Sequence, residues 1–192
     1  MQNLPLLQEA LKDCGEGRQE VYEGLRSFAL LLYKWSAKLN LLSQADRDQI
    51  VEKHLVPSLR FFTMLRMVPN SCVIDFGSGA GLPGIPLKIL MPESSFVLVE
   101  SRRRRANYLK QVTRSLYLKK IETVHGRLEE ISPKELQADV IVSRAVMSQS
   151  DLVSVVRPYI RPGGVLVCTS PTEEASVPKL IRAGGQPQIH ML

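Results

Sequence analysis

The feature that most constrains this chain is the stretch at residues 73–84, VIDFGSGAGLPG. An apolar run that ends in Asp75 predicts a buried strand, and glycines follow at alternate positions. Glycine has no Cβ to block a ligand or to disfavour a positive φ. Pro83 and Pro86 then favour the first turn of a helix. Strand, glycine loop and helix together predict a site for a nucleotide-like ligand at the carboxyl edge of a parallel sheet.

The spacing of the glycines narrows the class of ligand. A dinucleotide-binding fingerprint needs a glycine at position 82, where this chain has Leu82. Glu100 ends the next predicted strand, about 20 residues after Gly77, and an acid at that place binds ribose hydroxyls. Its carboxylate can instead cap the helix that starts at Arg102. Asp75 is predicted either to orient the glycine loop, to act through water on an amine of the ligand, or to be purely structural.

The pattern of apolar residues divides the chain into two parts. It predicts an N-terminal helical region at residues 1–68. At residues 69–192 it predicts the alternating strands and helices of an α/β domain. The predicted helices of the first part span 4–13 and 18–39. A third begins near Asp46 as its N-cap and is interrupted or kinked at Pro57. In the second part we predict strands at 72–75, 95–100, 121–125, 139–143 and 165–169, and helices from 84, at 102–116, at 150–157 and at 173–182, with 188–191 as a further strand.

Composition excludes several classes of protein. No apolar run approaches the roughly 20 residues that a membrane span needs, and the first residues lack the features of a signal peptide, so we expect a cytoplasmic protein. Three cysteines and three histidines lack the spacing of metal ligands, so no metal is expected. The net charge of +6 agrees with a polyanionic partner only if the cations cluster near the ligand site. We expect a monomer.

The cations do cluster beside the predicted ligand site. Four consecutive arginines begin two residues after Glu100, and four more cations follow before residue 121. Consecutive arginines span a full helical turn and cannot all face one way, so part of the run is a solvated face. Net charge and location favour contact of the rest with an RNA backbone. The run consists of Arg102, Arg103, Arg104, Arg105, Lys110, Arg114, Lys119 and Lys120.

Several segments resemble the RsmG (GidB) family: GSGAGLPGIPL, LVES with a basic pair, HGRLEE and VSRA, and, in the N-terminal part, KWSAKLNLL and HLVPSL. The resemblance implies a Rossmann-like class I S-adenosylmethionine-dependent methyltransferase sheet with an N-terminal helical appendage. It also implies methylation of guanine N7 in the 530 loop of the small-subunit (16S) ribosomal RNA, either free or in its ribosomal particle. Guanine N7 carries a lone pair and no proton, so no catalytic base is expected, and Arg144 is the candidate for positioning the reactants.

The resemblance also implies roles for individual residues. Arg144 would bind either a cofactor carboxylate or an RNA phosphate, and Glu129 is either a base contact or a solvated acid. Asn40 and His54 match family positions for RNA contact, although Asn40 can equally cap a helix and His54 can be a partly buried histidine. The predicted cofactor-binding residues are Asp75, Gly77, Ser78, Gly79, Gly81, Leu82, Glu100, Leu128, Glu129 and Arg144. The predicted RNA-binding residues are Arg102, Arg103, Arg104, Arg105, Asn40 and His54.

The chain departs from the family pattern after the fifth strand. The family has a lysine-glycine motif there, whereas this chain reads CTSP at 168–171. The short tail predicts either an incomplete C-terminal sheet edge or a divergent or truncated member. Two alternative functions follow: a non-catalytic RNA-binding protein with a degenerate methyltransferase fold, and a small-molecule methyltransferase.

Overall fold

A computed structural model describes residues 3–65, 68–144, 146–169 and 178–182. Within these ranges the strands form one sheet in the order β3-β2-β1-β4-β5-β6. The first five strands are mutually parallel, and β6 is antiparallel to β5. The strand order reverses between β1 and β4, which places a ligand crevice at the carboxyl ends of these strands. The strands are β1 (Cys72–Phe76), β2 (Ser95–Glu100), β3 (Ile121–His125), β4 (Ala138–Arg144), β5 (Ile160–Thr169) and β6 (Lys179–Arg182).

Helices precede the sheet and connect its strands, as the alternating pattern predicts. Short 3₁₀ turns at Leu128–Glu130 and Arg157–Tyr159 complete the connections. A π-helical turn at Val51–Leu55 leads into the helix that contains Pro57, so the irregularity precedes Pro57, which lies in the first turn of a regular helix. The α-helices are α1 (Leu4–Asp13), α2 (Gln19–Leu39), α3 (Gln44–Asp48), α4 (Val56–Leu65), α5 (Gly84–Leu90), α6 (Arg103–Ser115) and α7 (Gln149–Val156).

Two local predictions are wrong. The helix predicted at 173–182 is a strand at its C-terminal end, where β6 pairs with the free edge of β5 and so satisfies backbone groups that the edge would otherwise expose. Residues 173–177 and the strand predicted at 188–191 lie outside the described residues. The cap of the third helix is Ser43 rather than Asp46, because the Ser43 hydroxyl accepts a hydrogen bond from the Asp46 N–H (3.1 Å).

The apolar side chains form a cluster on each face of the sheet. Leu25 and Phe28 of α2 belong to the same cluster as Val73 of β1 and Leu98 of β2. The opposite cluster includes Ile74, the neighbour of Val73, because successive strand residues point to opposite faces. The N-terminal helices therefore cover one face of the sheet, and the division into residues 1–68 and 69–192 stays a prediction. No helix among the described residues is long and apolar enough to cross a membrane.

Candidate functional site

The glycine loop leaves β1 at the point where the strand order reverses. The backbone N–H groups of Gly77 and Ser78 both donate to the Val99 carbonyl (3.0 Å each), which fixes the loop against the end of β2. Further along, the Gly81 and Leu82 N–H groups donate back to the Ser78 carbonyl (2.7 and 3.2 Å). The loop is thus a tightly hydrogen-bonded turn between β1 and α5.

Two of the glycines are required for different reasons. Gly77 has φ 73°, and a Cβ there would lie 2.7 Å from Cγ2 of Val146, a partly exposed side chain just after β4. Gly79 also has a positive φ (52°), yet its side is open: the nearest atoms to a Cβ would be the Arg105 Nη1 and the Gly77 carbonyl, both at 3.7 Å. An open, polar space therefore lies beside Gly79, between the loop and the first turn of α6.

Glu100 connects the glycine loop to α6. Its Oε2 accepts from the Gly79 N–H (2.9 Å) and its Oε1 accepts from the Arg102 N–H (2.7 Å). The residue is only 5% exposed. Both uses considered for this acid are compatible, because a carboxylate has about four acceptor sites and two backbone N–H groups occupy only two of them. The remaining lone pairs are available to ribose hydroxyls.

Asp75 lies beneath the loop and is fully buried. Its Oδ2 accepts from the Gly84 N–H (3.1 Å) at the start of α5, while its Oδ1 has no hydrogen-bond partner. Burial raises the pKa of this carboxyl to about 7, with the Gly84 N–H acting in the opposite direction. Asp75 therefore orients the start of α5, which is one of the roles that the sequence left open.

Arg144, at the carboxyl end of β4, contacts the helical region. Its Nη2 lies 2.6 Å from Nδ1 of His54 and donates to the Lys53 carbonyl (3.2 Å), and its Nη1 donates to the His54 carbonyl (3.5 Å). Burial, and secondly the Arg144 charge, lower the pKa of His54 to about 4. The imidazole is therefore neutral at pH 7, with Nδ1 as the acceptor and its proton on Nε2, which is buried without a partner.

The remaining predicted cofactor residues lie in three environments. The side chain of Leu82 is buried in the core cluster that includes α2. Leu128 is fully buried on the opposite face, where its carbonyl accepts from the Tyr159 hydroxyl (2.8 Å), whereas Glu129 is exposed. Any contact of Leu82 or Leu128 with a ligand would therefore use backbone groups in this arrangement.

The predicted RNA-binding residues do not form one cluster. Arg102, Arg103 and Arg104 are exposed at the start of α6, and Arg105 is half-buried beside the glycine loop. Asn40 ends α2 in a left-handed conformation (φ 48°), so it occupies the capping position that was its alternative role. His54 lies beside Arg144, for which the resemblance implies either a cofactor or an RNA contact.

Sequence reasoning missed the contact between His54 and Arg144 and the position of Val146 over Gly77. The two residues of the first pair are 90 positions apart, and no spacing rule connects them. Val146 follows the VSRA motif directly, so its place beside the loop could have been inferred from parallel strands that end at one edge.

The residues at this edge fit S-adenosylmethionine. A Cβ at Gly79 would partly fill the open space beside it, and Glu100 retains acceptor capacity for a ribose. Within the described residues, no group of three or more His, Cys, Asp or Glu side chains could hold a metal ion. Glu100 and the backbone of the loop would hold the nucleoside part of the cofactor.

Comparison with known proteins identifies the family. The GidB family model, described as rRNA small subunit methyltransferase G, matches residues 21–176. Relatives of that name from Clostridium kluyveri and Clostridium tetani are 35% and 33% identical over 171 residues, which cover 87% of this chain and 72% of each relative. A solved protein-L-isoaspartate O-methyltransferase is similar in fold, with a TM-score of 0.52 at 16% identity over 65% of this chain and 40% of that one. The chain therefore belongs to the GidB family of S-adenosylmethionine-dependent methyltransferases.

Proposed function

We propose that this protein transfers a methyl group from S-adenosylmethionine to N7 of a guanine in small-subunit ribosomal RNA, the guanine of the 530 loop by family resemblance. One observation carries the proposal: a cationic helix begins directly at the donor site. Between residues 102 and 120 the chain has eight Lys and Arg residues and no Asp or Glu. The names of its relatives, ribosomal RNA small subunit methyltransferase G, support RNA as the acceptor.

In this proposal the donor site would fix the position of the reacting methyl group. S-adenosylmethionine, when bound, supplies an electrophilic methyl on a sulfonium sulfur. Glu100 would accept from the ribose hydroxyls while its existing bonds to the Gly79 and Arg102 N–H groups hold the carboxylate in place. Val146, above Gly77, would limit the space on the side where the acceptor base approaches.

Methylation of guanine N7 requires no acid or base from the side chains. Guanine N7 is a nucleophile without a proton to remove, so the protein must hold it in line with the methyl group and exclude competing water. Positive charge moves from sulfur to the purine, and a buried cation close to the base would oppose this transfer. The Arg144 guanidinium is held by the Lys53 carbonyl and the neutral His54 ring, which leave its charge in place, so the base would have to bind away from it.

The test is transfer of labelled methyl from S-adenosylmethionine to ribosomal RNA and to small ribosomal subunits that lack the modification, followed by mapping of N7-methylguanine. We expect one modified guanine in the small-subunit RNA. Replacing Arg103 and Arg104 by Gln should reduce transfer and flatten its salt dependence, whereas Lys12→Gln, on exposed α1, should change neither.

Two results would contradict the proposal. Binding of S-adenosylhomocysteine and RNA without transfer to any assembly state of the subunit would favour the non-catalytic RNA-binding alternative. Transfer to small molecules but not to RNA would favour the small-molecule methyltransferase.

A further inference from the structure

The C-terminal end of α6 is built as a glycine-type helix cap but has a tyrosine at the critical position. The Leu118 N–H donates to the Thr113 carbonyl (3.1 Å) and the Tyr117 N–H donates to the Arg114 carbonyl (3.0 Å). These are the two hydrogen bonds of a Schellman motif, in which the residue after the cap is left-handed and is usually glycine. Tyr117 has φ 53°.

In the described part of the chain, the Tyr117 ring makes no packing contact that would stabilise this conformation. Tyr117 is 84% exposed, the highest value among the large apolar and aromatic side chains that are exposed in the described residues. Its neighbours Leu116 and Leu118 pack against the core cluster instead. A bulky residue with a positive φ is strained, and here the two cap hydrogen bonds and the packing of Leu116 and Leu118 hold it in place, so the exposed ring has no structural role of its own.

The surroundings of Tyr117 are cationic. Helical geometry places Arg103, Lys110 and Arg114 within about 40° of each other around the axis of α6, so they form one line along the helix, and Tyr117 follows three residues after Arg114. All three are exposed, as is Lys119 beyond the cap. Lys120 forms an ion pair with Glu93 (3.0 Å).

We propose that Tyr117, with Arg114 and Lys119, forms a second RNA contact, in which the ring stacks on an unpaired base and the cations bind the adjoining phosphates. The identity of the RNA rests on the proposed function. Tyr117 lies 12 residues beyond Arg105, about 18 Å along the helix from the donor site. An RNA strand held along α6 would thus be fixed at a point well away from the reacting base.

The combination of groups favours single-stranded RNA over other partners. A base offers a flat face to the tyrosine ring, and the flanking phosphates complement a surface without acids on this helix. A duplex would present phosphates to the same cations but no unstacked base to Tyr117. If the Tyr117 ring stacks on a base, the protein should bind single-stranded RNA more tightly than a duplex, and this preference should depend on the ring alone.

The experiment compares Tyr117→Gly and Tyr117→Phe in the full chain. Fluorescence anisotropy would use a labelled mixed-sequence RNA of roughly 12 nucleotides, single-stranded and as a duplex. We expect Tyr117→Gly to weaken single-strand binding by about 5- to 100-fold and duplex binding by less than about twofold, since one base–aromatic stack is lost. Tyr117→Phe should bind as the wild type does, because it keeps the ring.

Thermal unfolding of the same variants separates this role from a structural one. Because glycine adopts a positive φ without strain, Tyr117→Gly should have a melting temperature no lower than the wild type. Arg114→Gln should lower the salt dependence of single-strand binding by about 0.7 in the log–log slope, whereas Lys12→Gln should not.

The outcomes distinguish this inference from the proposed function. Single-strand binding by Tyr117→Gly within twofold of the wild type would overturn the inference, and methyl transfer to ribosomal RNA by the wild type would then leave the proposed function intact. Weaker single-strand binding by a protein that methylates no RNA would support the inference and contradict the proposed function. If Tyr117→Gly loses binding to anionic lipid vesicles while its RNA binding is unchanged, the partner of this surface is a membrane rather than RNA.

Discussion

The carboxyl ends of β2 and β4 each have a charged residue, and these two residues behave differently. Glu100 accepts hydrogen bonds from Gly79 and Arg102, both close to it in sequence. Arg144 binds Lys53 and His54, about 90 residues away. The first residue organises the ligand site from within the sheet, and the second attaches the helical region to the sheet.

The difference separates ligand binding from stability. Substitutions at the end of β2 should affect the cofactor, whereas substitutions at the end of β4 should affect the attachment of the helices. The sequence predicts a cofactor contact for Glu100 and either a cofactor or an RNA contact for Arg144, so experiments that treat the two residues in parallel test the distinction directly.

The largest expected effect is that of Glu100→Ala on cofactor affinity. The substitution removes both acceptors from the Gly79 and Arg102 N–H groups and any contact with a ribose, so we expect about 100-fold weaker binding of S-adenosylhomocysteine. Titration calorimetry measures it, with Glu93→Ala, a largely exposed acid, as the matched control. Unchanged affinity in a folded Glu100→Ala protein would show that the site is elsewhere.

Arg144→Ala should have its main effect on stability. The substitution removes hydrogen bonds to two carbonyls and to the His54 ring, so we expect the free energy of unfolding to fall by about 1–3 kcal/mol. Urea denaturation measures it, and Arg161→Ala, which breaks a more exposed pair with Asp139, should cost less. A loss of cofactor affinity as large as that of Glu100→Ala, with unchanged stability, would return Arg144 to the cofactor site.

The pH dependence of stability should have opposite signs for His54, which contacts the end of β4, and for Asp75 in β1. Unfolded His54 binds a proton near pH 6.5 but the folded residue only near 4, so acidification from 6.5 to 4 favours unfolding. We expect the wild type to lose about 2–3 kcal/mol relative to His54→Asn over this window. Urea denaturation of both proteins at pH 7 and pH 4.5 tests it.

For Asp75, acidification should have the opposite effect on stability. Its folded pKa of about 7 lies above the unfolded value of 3.8, so the folded state binds more protons between these limits and acidification favours folding. Relative to Asp75→Asn, the wild type should therefore gain stability between pH 7 and pH 4.5. The same sign for both substitutions would contradict the two environments described here.

The smallest effect is expected for Lys53→Ala. Arg144 binds only the Lys53 carbonyl, which every residue has, while the Lys53 ammonium pairs with Asp46 at the surface (2.9 Å). Loss of this pair should change the free energy of unfolding by less than about 1 kcal/mol. A decrease as large as that of Arg144→Ala would show that the Lys53–Asp46 pair contributes as much to stability as the Arg144 contacts do.

The sequence predicted what local spacing determines. The five parallel strands, the glycine loop and the contact of Glu100 with the Arg102 N–H follow from strand periodicity and motif spacing, since the partners are close in sequence. The Arg144 contact did not follow, because it depends on how α4 and the π-turn before it pack on the sheet. The strand at Lys179–Arg182 was missed because pairing with an edge overrides weak local preference.

The apolar cluster that unites α2 with β1 and β2 has a consequence for handling the protein. Leu25 and Phe28 cover the sheet face that contains Val73 and Leu98, so a fragment that began at residue 69 would present that face to solvent. Such a fragment should aggregate, and the intact chain should melt in one cooperative transition. Studies of RNA recognition by the catalytic sheet alone would therefore need the N-terminal helices to be supplied with it.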